Sequence, residues 1–273
     1  MSEIIKGKIL AQNIQDKIKA RIAKLPHPPG LAAILIGKDP ASKLYVSLKE
    51  KAAREVGIYF EKLVFPASAT TKQIITIIED LNQRPDINGI LVQFPLPKQD
   101  ENKIVLAIDP NKDVDGFHPE NRRKLAAKEK SLVPPVALAV VRLIQATNQP
   151  LHGKHAVILG NSLIFAEPII SLLKESGVNT VLLTRDESAL AAKTRAADIV
   201  VIALGQAGFL TRDMVKEGAI VIDVGTNKVD DQLVGDASAD LVGHAGFMSP
   251  VPGGVGPLTV AYLLNNVVKA AIK

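Results

Sequence analysis

Four residues in the first half are of types that could do chemistry: Tyr45 and Lys49 in DPASKLYVSLKEKAAREVG, Gln93 in GILVQFPLP, and Asp115 in KDVDGFHP. On a helix, positions four apart lie one above the other, so the Tyr45 ring and the Lys49 amine can meet. An amine beside a stacking platform can move protons on a bound ligand, provided its pKa is brought down toward neutrality. Spacing alone favours a plainer arrangement, a solvated lysine whose stem lies across a half-buried tyrosine. Gln93 interrupts an apolar run, and a buried amide needs partners. It can bond to backbone at the strand's end, or serve a ligand there, since the carboxyl ends of parallel strands are where ligands bind. Asp115-Gly116 can be a turn and nothing more.

The second half offers HAVILGNSLIFAEP, residues 155–168, a buried strand running into a glycine turn and then a helix. Gly160 closes the strand and Ser162 can cap the helix, which leaves backbone N–H groups free for a phosphate. After the next strand, TVLLTRDES presents Arg185 and Asp186. An acid there suits the adenosine ribose of NAD, whereas an arginine suits the extra phosphate of NADP, so the two point in opposite directions. The glycines of ALGQAGF and IDVGTNK read, taken alone, as ordinary strand-end turns. PVPGGVGPLT, with Gly253, Gly254, Gly256, Pro257 and Thr259, is a tight loop leading into a last helix.

Alternating elements must position these residues. Apolar β-rich runs at 31–37, 59–65 and 89–94 alternate with helical periodicity over 41–56 and 71–83. Leu44, Leu48, Ala52 and Val56, four apart, mark the expected buried stripe of the first of these helices. Asp, Asn, Gly and Pro then concentrate near 110–135, where a domain junction is expected. A second series follows, with helices over 136–147 and 165–176 and strands at 156–160, 180–183, 198–204 and 219–225. This is the pattern of parallel sheets with crossover helices, an α/β fold in two domains, the second a candidate nucleotide-binding domain.

Composition narrows the function. The chain has 273 residues, 47% hydrophobic, 4% aromatic, with a formal charge of +5 and no cysteine. Disulfides and thiolate metal sites are excluded, and His27, His118, His152, His155 and His244 lack ligand spacing, so no metal is expected. No basic cluster is interleaved with aromatics, which argues against nucleic acid. No apolar run reaches the roughly 18 residues of a membrane span. MSEIIKGKIL lacks a secretory pattern, and a cytoplasmic location is the expectation.

A lysine after YVSL, the ILVQFPLP strand, KDVDGFHP and PVPGGVGPLT, in this order, closely resemble the bifunctional methylenetetrahydrofolate dehydrogenase/cyclohydrolase family, from about residue 3 to the C-terminus. The resemblance implies a catalytic α/β domain over 1–118 and a Rossmann-like NAD(P)-binding domain over 119–273. It further implies a C-terminal helix at about 257–272 that packs back on the first domain, and a folate cleft between the two domains. It implies oxidation of 5,10-methylenetetrahydrofolate with NADP, NAD being possible, and hydrolysis of the methenyl product to 10-formyltetrahydrofolate. Lys49 would handle protons with Gln93 holding it, Tyr45 would stack along the folate, and Asp115 would accept hydrogen bonds from the pterin. Gly253, Gly254, Pro257 and Thr259 would wall the substrate. Gly160, Asn161, Ser162, Arg185, Asp186, Gly205, Asp223, Gly225 and Thr226 would line the cofactor crevice. A homodimer is expected on the same grounds.

The cofactor loops depart from the family pattern. Its Gly-Arg-Ser, three residues, then Gly-x-Pro becomes Gly160-Asn161-Ser162 with Ala166 and Pro168, and Glu167 enters the helix's first turns. If Glu167 points at the pyrophosphate it opposes binding. Two rivals therefore stand beside the bifunctional reading: a cyclohydrolase with a degenerate cofactor site, and a non-catalytic folate-binding or assembly protein. The intact Tyr45, Lys49, Gln93 and Asp115 set argues against the latter.

Overall fold

The Asp39 side chain accepts from the Ser42 N–H at 2.7 Å, Pro40 fills the first turn, and Gly57 ends the helix at φ 92°. That cap, that proline and that left-handed glycine fix both ends of the helix carrying Tyr45 and Lys49. The next long helix opens on a reciprocal box between Thr70 and Gln73.

The protein's structure is a computed structural model that describes residues 1–272; Lys273, the last residue of the expected second domain, lies outside them. In chain order the first half contains β1 (Glu3–Ile4), α1 (Gly7–Ile22), β2 (Gly30–Ile36), α2 (Pro40–Val56), β3 (Tyr59–Phe65) and α3 (Thr71–Gln83). It continues with β4 (Gly89–Val92), α4 (Glu101–Ala107) and α5 (Pro119–Ala126). The second half contains α6 (Pro135–Ala146), β5 (His155–Gly160), α7 (Leu163–Glu175), β6 (Asn179–Leu183), α8 (Leu190–Arg195), β7 (Ile199–Ala203) and β8 (Ile220–Asp223). The hairpin β9 (Asn227–Val229) and β10 (Gln232–Val234), then β11 (Phe247–Met248) and α9 (Val255–Ala271), complete it.

The chain folds as two compact units that interleave in sequence. One comprises residues 12–135 and, of the described residues, those from 260 onward, the other residues 1–11 and 136–259. In the first, three parallel strands lie in the order β3-β2-β4. The chain passes from the central β2 to one side and then crosses to the other, so the carboxyl ends of β2 and β4 form a switch point, the usual crevice of such sheets. Every residue of β2 is buried. Alternate side chains serve two cores: Leu31, Ala33 and Leu35 pack with Val46, Leu263, Leu264 and Val267, and Ala32, Ile34 and Ile36 pack with Ile74, Ile78 and Ile104.

The expected stripe of α2 needs correction. Ala52 and Val56 are buried, but Leu44 and Leu48 are 57% and 49% exposed, and Val46 and Ala53 turn inward instead. Four residues advance a helix by about 400°, so a strict four-residue repeat drifts about 40° per step and leaves the buried face. Gln93 likewise lies just past β4 rather than within it.

In the second unit six strands run in the order β1-β11-β8-β7-β5-β6, all parallel. The two-residue β1, from the chain's start, adds to the edge of this sheet through β11. The crossing from β6 to β7 over β5 puts the switch point at the carboxyl ends of β5 and β7, where Gly160 pairs in register with Ala203.

Candidate functional site

At the switch point of the first sheet, the Gln93 backbone N–H donates to the Ile34 carbonyl at 2.9 Å, which ties the residue after β4 to the end of β2. Its side chain bridges two groups. Nε2 donates to the Phe94 carbonyl at 2.8 Å, so Oε1 is the acceptor turned outward, and Lys49 Nζ donates to it at 2.9 Å. The backbone bond read for Gln93 is thus made by its Nε2, while its Oε1 serves Lys49. Lys49 is half-buried, and Tyr45, one turn earlier on α2, is 37% exposed.

Asp115 is the charged neighbour of this amine. Burial pushes its carboxyl up to about 6, an effect that Lys49 partly offsets and Asp113 augments. Burial also holds the Lys49 ammonium below its ordinary value of 10.5, and the attraction of Asp115 works against that depression. Amine and acid are thus drawn toward the neutral range from opposite sides.

Asp113 and Asn266 shape the loop that presents Asp115, and sequence reasoning missed both. Asp113 is buried and accepts from the Gly116 N–H at 3.1 Å, the His118 N–H at 2.8 Å and Asn121 Nδ2 at 3.1 Å. Burial raises its pKa, opposed by these donors. Gly116 holds a φ of +69° with the carbonyl of Leu132 and the nitrogen of Pro134 against it, so a side chain here meets both strain and backbone. Asn266, wholly buried on α9, donates through Nδ2 to the carbonyls of Val114 and Val133, each at 2.9 Å. Its Oδ1 is buried with no hydrogen-bond partner. The signal for Asn266 was available: a polar residue on the apolar row of the last helix.

In the second unit, β5 ends at Gly160 and α7 begins at Leu163, with Ser162 Oγ accepting from the Phe165 N–H at 3.4 Å. Asn161, Ser162, Leu163 and Ile164 are exposed, so the donors of the first turn face solvent at the carboxyl end of the sheet. Ala166 is fully buried, which puts its methyl inside the fold and not against a ligand; Glu167 is exposed. Arg185 Nε and Asp186 pair at 3.4 Å, both largely exposed. A glycine turn, a capped helix start and open donors fit a dinucleotide pyrophosphate.

The remaining crevice residues are tied to one another through backbone N–H groups and buried carboxylates. Asp223 is buried, and its carboxylate accepts from the backbone N–H groups of Gly225, Asp236 and Ala237 at 2.9, 3.1 and 2.8 Å. Burial raises its pKa against those donors. The Gly205 N–H is taken by Asp236 at 2.9 Å, although its Cα side is open. Thr226 is exposed beside them. Gly253 accepts from the Lys8 N–H at 3.0 Å and Gly254 packs its backbone on Gly7. Thr259 Oγ1 donates to the Val255 carbonyl at 3.1 Å within α9, which starts ahead of Pro257. Among the described residues no group of acidic, histidine or cysteine side chains could hold a metal, and no helix is long and apolar enough to cross a membrane.

Comparison with known proteins fits this arrangement. Residues 5–115 match the model of the tetrahydrofolate dehydrogenase/cyclohydrolase catalytic domain, and residues 134–273 match that of the family's NAD(P)-binding domain. A bifunctional protein FolD from Streptococcus mutans is 42% identical over 280 residues, covering 100% of this chain and 99% of its own length. The crystal structure of the bifunctional FolD from Campylobacter jejuni superposes with a TM-score of 0.96 at 36% identity, covering 100% and 99% of the two chains. That of the Trypanosoma brucei FolD, complexed with NADP cofactor and inhibitor, does so with a TM-score of 0.94 at 34% identity over 99% and 97%. The chain belongs to the tetrahydrofolate dehydrogenase/cyclohydrolase family.

Proposed function

We propose that this protein oxidises 5,10-methylenetetrahydrofolate to the 5,10-methenyl form with NADP, and hydrolyses that cation to 10-formyltetrahydrofolate. The observation that carries the reading is the 2.9 Å hydrogen bond from Lys49 to Gln93 at a sheet switch point, next to a half-buried Asp115. Hydrolysis adds water to a carbon held between two nitrogens and needs a group that takes a proton from that water and returns one to the departing nitrogen. A lysine with a lowered pKa supplies this near neutrality, and a cationic substrate lowers it further. Gln93 Oε1 fixes the direction of the amine, because its own NH₂ is committed to Phe94. Tyr45 gives the folate an aromatic face, and Asp115 accepts from the planar donor pair of the pterin.

Bound at the Gly160 turn, the nicotinamide cofactor would accept the hydride. Ser162 and the open N–H groups of α7 would hold its pyrophosphate, and Asn161, Arg185 and Asp186 would meet the adenosine end. The Arg185–Asp186 pair leaves the choice between NADP and NAD to these two side chains. Gly205, Gly225 and Thr226 would line the crevice through backbone and small side chains, with Asp223 holding the loop from within. Gly253, Gly254, Pro257 and Thr259 would wall the folate. That wall apart, folate chemistry is assigned to residues 1–118 and cofactor binding to 119–273. A cytoplasmic homodimer completes the proposal; the edge strand β6, with Val181 exposed, supports self-association.

Purified protein offered methylenetetrahydrofolate with NADP or NAD should reduce one nicotinamide, and should separately consume methenyltetrahydrofolate. Absence of nicotinamide reduction with both cofactors defeats the dehydrogenase assignment and leaves the hydrolase standing. Light scattering at half the expected dimer mass defeats the homodimer.

A further inference from the structure

Three successive backbone N–H groups after β7 converge on a single side chain. Asp236, wholly buried, accepts from Leu204 and Gly205 through Oδ2 at 2.7 and 2.9 Å, and from Gln206 through Oδ1 at 2.8 Å. Consecutive N–H groups turned to one point form an anion-binding nest, and here the anion is the protein's own carboxylate. Oδ1 also accepts from Asn227 Nδ2 at 2.8 Å, at the far end of the loop that follows β8. The backbone around Asp236 is held in turn. Its N–H reaches Asp223 Oδ1 at 3.1 Å, and its carbonyl takes the Leu210 N–H at 2.9 Å.

Glycine at two positions follows from this packing. A Cβ at Gly225 would collide with the Asp236 carboxylate, and one at Gly235 with that of Asp223. The two acids therefore interlock three segments, 204–206, 223–227 and 235–237, and Asp236 is the member that spans from the loop after β7 to the loop after β8. Both loops sit at the carboxyl edge of the sheet, beside the Gly160 turn.

We infer that Asp236 is a positioning residue for the dehydrogenase reaction: it fixes the spacing of the two strand-end loops that line the nicotinamide crevice and makes no contact with the cofactor itself. The inference rests on the proposed cofactor site. It explains how those loops keep their shape although the glycine turn next to them has changed in sequence. An amide in place of the carboxylate sets an NH₂ against at least one N–H, so Asp236→Asn should loosen the nest without altering its size.

The test uses the full-length protein and whichever of NADP and NAD the wild type binds. Titration calorimetry gives the nucleotide Kd, steady-state kinetics give KM and kcat, and methenyl hydrolysis, which uses no nicotinamide, serves as the internal reference. Asp236→Asn should raise nucleotide Kd and KM at least about tenfold, with hydrolysis within about twofold of wild type. Asn227→Ala, which removes the tie from Asp236 to the β8 loop together with a longer bond to the Val234 carbonyl, should raise Kd about threefold, and it decides the matter if Asp236→Asn does not fold. Unchanged nucleotide affinity, or an equal fall in affinity and hydrolysis, overturns the inference. A wild type that binds neither nucleotide defeats the cofactor site itself.

Discussion

Asp115→Asn should make the protein more stable and worse at holding folate, and both effects can be sized. The Asp115 carboxyl stands at about 6 against an ordinary 3.8. At about 1.4 kcal/mol per pH unit, carrying this charge at pH 7 costs the fold at most about 3 kcal/mol. Asp115 is only half-buried, and Lys49 loses its stabilising neighbour in the variant, so solvent screening and that loss bring the net gain to ~1–2 kcal/mol. For a chain of this size that corresponds to a midpoint about 2–8 °C higher. The sign with pH is definite. A raised carboxyl pKa means that the folded state binds the proton more tightly, so the penalty is absent below 3.8, grows from there to about 6, and is complete above. Thermal unfolding of wild type and variant at pH 4, 5, 6 and 8 measures it, with folate KM taken at pH 7.5. The midpoints should converge at pH 4 and separate above 6, and KM should rise at least about tenfold as the pterin loses a charged acceptor. A variant less stable at pH 8, or a difference that does not change with pH, refutes the reasoning.

Gln93→Leu leaves Lys49 without its acceptor; hydrolysis kcat should fall about 10–100-fold while folate KM stays within about threefold, as read in the methenyl assay. Asn266→Ala frees the buried carbonyls of Val114 and Val133, so unfolding free energy should drop by ~2–4 kcal/mol in urea titration, and folate KM should rise because the Asp115 loop is released.

Much of the architecture was legible because the strands of parallel sheets are apolar on both faces and their helices carry capping signals. The span of β3 and that of α3, with its Thr70–Gln73 box, are set by residues next to one another in the chain. What escaped is nonlocal. The two-residue β1 is a strand only because β11 lies beside it, and Asn266 acts on carbonyls more than 130 residues away. Leu44 and Leu48 show the limit of periodicity, since a row of like residues does not say which neighbour it meets. In the candidate site, Tyr45, Lys49, Gln93 and Asp115 were found through their motifs, each weak alone. Asp236 carried no such signal: an aspartate after a glycine reads as a turn until three N–H groups are seen to converge on it.

The account depends on the Lys49 amine, and Lys49→Met measures that dependence. The variant keeps an unbranched apolar stem one atom shorter than that of lysine and removes its capacity to move a proton. Methenyltetrahydrofolate hydrolysis should fall at least about 100-fold, toward the uncatalysed rate, with the folate dissociation constant within about threefold of wild type. Wild-type hydrolysis in Lys49→Met contradicts the account.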